Sequence, residues 1–119
     1  MKTWIGKFMI GIGLLHTLFG VGMILPLVGS DLLAEGILNT INGQPKREAF
    51  LWFLIAGFLL IILGALMDNM EKRAIELPAF LGWSLLIMTI FILILSPLNG
   101  GWLLLIPSIA ILLKARNLS

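Results

Sequence analysis

The sequence predicts an all-α integral membrane protein, a four-helix bundle with both termini in the cytoplasm, and three observations predict it. Hydrophobic residues make up 60% of the 119-residue chain, and charged residues only 12%, about half the ~25% of a soluble domain. Four apolar stretches approach the ~20 residues needed to cross a bilayer. Basic residues concentrate at the ends of those stretches that would share one side. Such a composition excludes a disordered chain and disfavours a soluble domain.

The four predicted spans form one domain over residues 1–119. They cover about residues 8–28, 49–67, 77–95 and 99–113. The first three contain no Asp, Glu, Lys or Arg, so each can cross as a helix that satisfies its own backbone. The first is longer than the apolar core of a signal peptide, so we expect it to be retained. The fourth is the weakest because its strictly apolar part, Trp102–Leu113, has 12 residues and contains Pro107.

The basic residues predict the orientation of the bundle. With four spans, six of them share one side and two face the other: Lys2, Lys7, Lys72, Arg73, Lys114 and Arg116 against Lys46 and Arg47. The larger group marks the cytoplasmic side. These residues lie in pairs at segment ends and form no basic stripe, so no nucleic-acid partner is predicted.

The connection over residues 29–48 is the only long one. Ser30 can cap a short helix, and Leu33, Ile37 and Ile41 recur at a spacing of four residues. We therefore expect a short amphipathic helix on the outer membrane surface, acting either as a lid packed on the bundle or as a gate over a site.

The second connection, Asp68–Glu76, carries both charge signs and is expected to be a plain cytoplasmic loop. Pro78 then suits the first turn of the third span. The third connection, Ser96–Gly101, is short enough to make the last two spans antiparallel neighbours.

A stripe of small residues in the first span predicts its packing partner. Gly6, Gly13 and Gly20 recur every seven residues, and Gly57 and Gly64 repeat that spacing in the second span. Small residues let membrane helices approach closely. We therefore expect the first span to pack against the second.

His16 is the one ionisable residue predicted inside the membrane, near the middle of the first span. We expect a neutral imidazole there, because a charge at that depth is costly. The structural interpretation is one interhelical hydrogen bond, with Thr17, Ser84, Thr89, Ser108 or a freed backbone carbonyl near Pro107 as candidate partner. The functional interpretation is contact with a lipophilic ligand or cofactor, with haem ligation or a hydrogen bond to a quinone as examples.

The candidate ligand-binding residues are His16, Thr17, Gly13, Gly20 and Trp83. The other three tryptophans fit interfacial belts, whereas Trp83 can line a pocket in the inner leaflet. Met9 and Met23 flank His16 on the same stripe and are expected to fill the core. A single histidine and no cysteine predict no metal site within one chain, and no catalytic motif is present, so we do not expect an enzyme.

The whole pattern resembles a known family. The residues that carry the likeness are Leu15-His16 with Gly13 and Gly20, Glu35-Gly36, Ala49 to Phe53 with Gly57 and Gly64, Leu77-Pro78 with Gly82-Trp83, and Ser96-Pro97 leading to Trp102 and Pro107. They resemble a family of small bacterial four-span membrane proteins of unknown function. The resemblance implies a bacterial inner-membrane location and offers no reaction.

Three classes of function stay open at this point. The first is a homo-oligomeric protein that binds a lipophilic molecule near His16. The second is an accessory subunit that docks another membrane protein through its glycine-lined helix faces. The third is a small enzyme that uses His16 as a general base, or a proton-coupled or metal transporter. The expected partners are the lipid bilayer, a lipophilic small molecule, and either a second copy of the chain or another membrane protein.

Overall fold

A computed structural model describes residues 3–26, 29, 34, 45–97 and 100–118, and the ordered elements within them are all helical. The α-helices are α1 (Ile5–Phe19), α2 (Pro45–Lys72), α3 (Ala79–Leu95) and α4 (Leu105–Leu118). A π-helical turn, Gly20–Ile24, continues α1, and a 3₁₀ turn, Gly100–Leu104, precedes α4. The predicted all-α class is confirmed. The predicted amphipathic helix capped by Ser30 lies outside the described residues.

Within the part of the chain that the structure describes, two helical segments are long and apolar enough to cross a membrane. They are Ile5–Met23, with 19 residues, and Pro45–Lys72, with 28. Helix α3 is equally apolar in character but has 17 residues, and α4 has 14. Large hydrophobic side chains cover the outside of the helices, including Leu18, Phe80 and Ile94, each about two-thirds exposed or more. An apolar exterior of this extent is typical of a protein whose solvent is lipid.

Helix α2 ends later than predicted, so the expectation of a plain loop from Asp68 is wrong for its first five residues. The end is a Schellman motif, in which the Ile75 N–H donates to the Met70 carbonyl (2.8 Å) and the Ala74 N–H to the Glu71 carbonyl (3.1 Å). Ala74 adopts the left-handed conformation, φ 57°, that this motif requires. The charged residues therefore extend the helix by more than one turn.

Pro78 and Pro107 lie where a proline costs little. The prediction that Pro78 lies in the first turn of α3 is wrong. Pro78 is the residue before the helix and has an extended conformation, φ −68° and ψ 144°. Pro107 is the third residue of α4 and so lies in its first turn, where proline is tolerated. It therefore begins the last helix without breaking it.

The four helices pack as two pairs. Helix α1 packs along α2, and α3 packs along α4; α1 also contacts α4 and the 3₁₀ turn, which joins the pairs. Among the described residues, no Cα atom of α2 lies within 8 Å of a Cα atom of α3, so the backbones of these two helices stay apart. Where the pairs meet, the fully buried residues include Ile5, Met9, Met67 and Ile111. The open side between α2 and α3 is the feature of the fold that matters most for the site.

The glycine stripes hold α1 against α2, as the sequence predicts. A Cβ at Gly13 would lie 2.7 Å from Ile61 Cγ1 and 2.8 Å from its backbone nitrogen. A Cβ at Gly64 would lie 2.6 Å from the Ile10 nitrogen. Both distances are well inside van der Waals contact, so the two backbones are as close as only glycine allows.

One end of the bundle carries a set of ion pairs, which we call the ion-pair end. Its members are Lys7, Asp68, Glu71, Lys72 and Lys114. The Asp68 carboxylate accepts from Lys7 (2.7 Å) and from Lys72 (3.0 Å). These two hydrogen bonds, the one from Lys7 first, hold the pKa of Asp68 below its usual range.

Glu71, also at the ion-pair end, ties three helices together. Its buried carboxylate accepts the Gly6 N–H through Oε1 (2.6 Å) and lies 3.4 Å from Lys114 through Oε2. Gly6 is in the first turn of α1, where the amide has no partner within the helix. Glu71 of α2 therefore serves as the cap of α1 while it pairs with a lysine of α4.

Candidate functional site

A cavity of about 730 Å³ lies where α2 and α3 fail to meet. Helix α1 lines it with Leu15, His16 and Phe19, α2 with Phe53 and its neighbours, and α3 and the 3₁₀ turn supply further apolar side chains. Its volume falls in the ~300–1,000 Å³ range of small-molecule sites. Within the described lining, His16 is the single residue with a polar side chain. The cavity is thus an apolar chamber with one hydrogen-bonding group.

Two contacts with Phe53 fix the imidazole of His16. The Nε2 atom lies 2.9 Å from the Phe53 carbonyl oxygen. The two rings are also stacked, with centroids 3.7 Å apart and planes 12° from parallel. A carbonyl only accepts, so Nε2 carries the hydrogen and donates it. In the neutral ring, Nδ1 then keeps its lone pair and is an acceptor.

Nδ1 lies on the side of the imidazole ring that faces away from Gly57. The Cδ2 atom, on the opposite side of the ring, faces Gly57, where an added Cβ would lie 3.1 Å from it. No described residue makes a hydrogen bond with Nδ1. Every fully buried side-chain nitrogen or oxygen among the described residues has a hydrogen-bond partner. Because Nδ1 has no partner, it is not fully buried. The half-buried ring, which lines the cavity, therefore offers an accessible acceptor.

A π-helical turn begins four residues after His16, at Gly20. The Gly20 N–H is shared between the carbonyls of His16 and Thr17, and the Leu25 N–H reaches back five residues to the Gly20 carbonyl. Such turns are frequent at functional sites because they redirect a helix locally. A Cβ at Gly20 would lie 2.8 Å from the Phe53 ring, so glycine here makes room for the residue that holds His16.

The structure brings together only part of the predicted site. His16 lines the cavity, whereas the Thr17 hydroxyl donates to the Gly13 carbonyl in its own helix (2.9 Å) and lies against Gly57. Gly13, like Gly20, packs on α2. Trp83 is 56% exposed and does not line the cavity.

The predicted side-chain partners of His16 are wrong. Thr89 donates to the Leu85 carbonyl (2.6 Å) and Ser108 to the Leu104 carbonyl (2.6 Å), each within its own helix. A hydroxyl in a helix commonly bonds back in this way, which leaves it nothing to offer a neighbouring helix. The partner of His16 is a backbone group.

Phe53 is the residue that the sequence reasoning missed. A helix carbonyl already has a partner, so no residue pattern marks it as an acceptor. The available signal was Gly57, four residues after Phe53, because a missing Cβ beside a helix carbonyl opens that carbonyl to a side chain from a closely packed neighbour.

Met9 and Met23 were both predicted to fill the core, but only one of them does. Met9 is fully buried in the core, as predicted, whereas Met23 is 61% exposed. Among the described residues, no group of three or more His, Asp or Glu side chains could hold a metal ion.

Comparison with known proteins identifies the family. A family model described as a family of unknown function (DUF6463) matches residues 1–118. The chain belongs to this family. The expectation of an uncharacterised family is thereby confirmed, while a bacterial source and four spans stay predictions for this DUF6463 member. The match includes all four helices and every residue of the cavity. No curated protein and no solved structure matches the chain.

Proposed function

We propose that this protein is a multi-pass membrane protein that binds one uncharged lipophilic molecule in the cavity between α1, α2 and α3. The observation that carries the proposal is the cavity itself, about 730 Å³ of apolar lining with a single imidazole. A water-filled chamber of that lining would be unfavourable, because apolar cavities exclude water and accept apolar molecules.

The membrane topology rests on length and surface. At ~1.5 Å per residue, α3 is about 26 Å long, and α4 with its 3₁₀ turn is about 31 Å, so each approaches the ~30 Å hydrocarbon core. All four helices therefore serve as spans in the proposal. The ion-pair end carries Lys7, Lys72 and Lys114, three of the six basic residues predicted on the cytoplasmic side, and the proposal places it there. We place the protein in a bacterial inner membrane on the family resemblance.

The cavity opens sideways into the bilayer. Helices α2 and α3 leave a gap between them along their described residues, and the gap is flanked by exposed apolar side chains such as Leu59 and Met88. A lipophilic molecule dissolved in the membrane can enter by this route without crossing a polar surface. Lateral entry suits a ligand that partitions into lipid.

Binding of a small molecule is favoured over docking of another protein through the glycine faces. Gly13, Gly57 and Gly64 are covered by the α1–α2 contact inside the chain. Those faces are therefore not free for a different chain. A hydrogen bond between a ligand and His16 fits the geometry better than axial ligation of haem through Nε2, because Nε2 is already bonded to Phe53.

Native mass spectrometry of the protein released from mild detergent tests the proposal. We expect the wild-type chain to carry one co-purified lipophilic molecule. Ala56→Phe, which fills the cavity, should lose it, whereas Ala65→Phe, on an exposed face of the same helix, should keep it. Loss in neither variant, or no adduct on the wild type, would contradict the proposal. The same spectrum tests the predicted self-association.

A further inference from the structure

The free acceptor on His16 decides which head group the cavity can hold. With Nε2–H donated to the Phe53 carbonyl, the neutral ring presents Nδ1 as a lone pair. The free nitrogen of this cavity-lining ring therefore accepts a hydrogen bond and cannot give one. A ligand that pairs with it must carry a donor.

Charged head groups do not match the cavity. Apart from His16, the described lining consists of aliphatic and aromatic side chains, methionine, alanine and glycine. A phosphate or carboxylate placed there would have no countercharge, and burial of an unpaired ion is expensive. An ammonium group would lose its hydration for one imidazole. The head group is therefore uncharged.

A carbonyl head group does not match either. A ketone, an ester or an oxidised quinone offers only acceptor oxygens. Facing Nδ1, each would set one lone pair against another in a site with a low dielectric constant, where an unmet polar group is most costly. A hydroxyl group, in contrast, can donate its one hydrogen to Nδ1, and its uncharged oxygen is compatible with the apolar lining.

We infer that the cavity selects an uncharged lipid whose head group is a hydroxyl, which donates its hydrogen to Nδ1 of His16. The inference rests on the proposed function and specifies its ligand class. The hydroxyl lies beside the His16 ring near the π-helical turn, and the apolar tail extends into the gap between α2 and α3. The stacked Phe53 ring holds the imidazole in this orientation, so the acceptor is in place before the ligand arrives.

Photolabelling with a matched pair of probes tests the hydroxyl directly. The protein in nanodiscs is exposed to hexadecanol that carries a diazirine in its chain, and separately to the methyl ether of the same molecule. The two probes share tail and reactive group and differ in the donor. We expect the alcohol to label cavity peptides of α1 and α2 roughly 3- to 15-fold more strongly than the ether, the range that one intramembrane hydrogen bond supplies.

Two variants of His16 separate its two ring nitrogens. In His16→Gln the amide nitrogen reaches the position of Nε2, so the bond to the Phe53 carbonyl is kept and the acceptor at Nδ1 is lost. In His16→Asn the shorter amide reaches the position of Nδ1, so an acceptor is kept and the bond to Phe53 is lost. We expect the Gln variant to label equally with both probes and the Asn variant to keep a preference for the alcohol. Phe80→Leu, on an exposed part of α3, is the control and should behave as wild type.

The outcomes distinguish this inference from the proposed function. Equal labelling of the cavity by alcohol and ether in the wild type would overturn the hydroxyl preference and leave a lipophilic cavity. No cavity labelling by either probe would overturn both. Competition by unlabelled diacylglycerol or by a prenylated hydroquinone identifies the source of the hydroxyl, and failure of both to compete would also overturn the inference.

Discussion

Replacement of Gly13 by alanine tests the close contact between α1 and α2. The comparison is with Gly11 on the same helix, where an added Cβ would meet nothing within 4 Å. Alanine in a helix interior is favoured over glycine by about 0.8–1.0 kcal/mol. Gly11→Ala should therefore stabilise the protein by about that amount, since it gains helix propensity and loses no contact.

At Gly13 the same gain is opposed by overlap. The new methyl group would lie 2.7 Å from Ile61 Cγ1, 2.8 Å from the Ile61 nitrogen and 3.1 Å from the Gly57 oxygen. Two of these atoms belong to the backbone, so rotation of a side chain cannot relieve the overlap. Overpacking of this kind costs about 1–3 kcal/mol, which places Gly13→Ala about 1–3 kcal/mol below Gly11→Ala.

The assay is unfolding in mixed micelles by titration with a denaturing detergent, followed by tryptophan fluorescence. Both variants and the wild type are measured under one set of conditions, so that the difference between the two alanines removes the common propensity gain. If Gly13→Ala were as stable as Gly11→Ala, the two helices would not be packed as closely as described.

Three further predictions concern the ion-pair end and the turn after α2. Ala74→Gly should raise the unfolding free energy by about 0.5–1 kcal/mol, measured by the same titration, because glycine adopts the φ of 57° without strain; a loss of stability would contradict the Schellman motif. Glu71→Ala should cost about 1–3 kcal/mol by leaving the buried first-turn amide of α1 without an acceptor, and Glu71→Gln should cost less, because the amide oxygen still accepts. The pKa of Asp68 is lower in the folded protein than its ordinary value of 3.8, through its bonds to Lys7 and then Lys72. The stabilisation by ionised Asp68 is therefore complete above pH 3.8 and is lost as the pH falls through the pKa of the folded protein. Asp68→Asn should reduce the dependence of the unfolding free energy on pH in the acid range, and an unchanged dependence would refute the role given to Asp68.

Much of the fold could be predicted from the sequence because lipid and helix geometry leave few choices. Apolar stretches of span length predict helices, and the seven-residue spacing of Gly6 and Gly13 opposite Gly57 and Gly64 predicts the α1–α2 pair. The end of α2 was missed for a physical reason. Asp68 and Glu71 resemble loop residues when taken alone, but both are satisfied by groups on other helices, which sequence proximity does not reveal.

One residue of the site could be predicted from the sequence, but the contacts that hold that residue in place could not. His16 stands out because it is the single ionisable residue in an apolar stretch. Its partner is a carbonyl of Phe53, and every residue has a carbonyl, so composition carries no mark of it. Trp83 resembled a pocket residue by its position in α3, yet the cavity forms where α2 and α3 separate, and that separation depends on how two helix pairs meet.

The most direct test of the central claim is a crystal structure of the protein grown in a lipidic mesophase, at a resolution that shows lipid chains. The account predicts continuous density in the cavity between α2 and α3, with one polar atom within hydrogen-bond distance of Nδ1 of His16 and Nε2 still bonded to the Phe53 carbonyl. An α2 helix packed directly against α3, with no space beside His16, would contradict it.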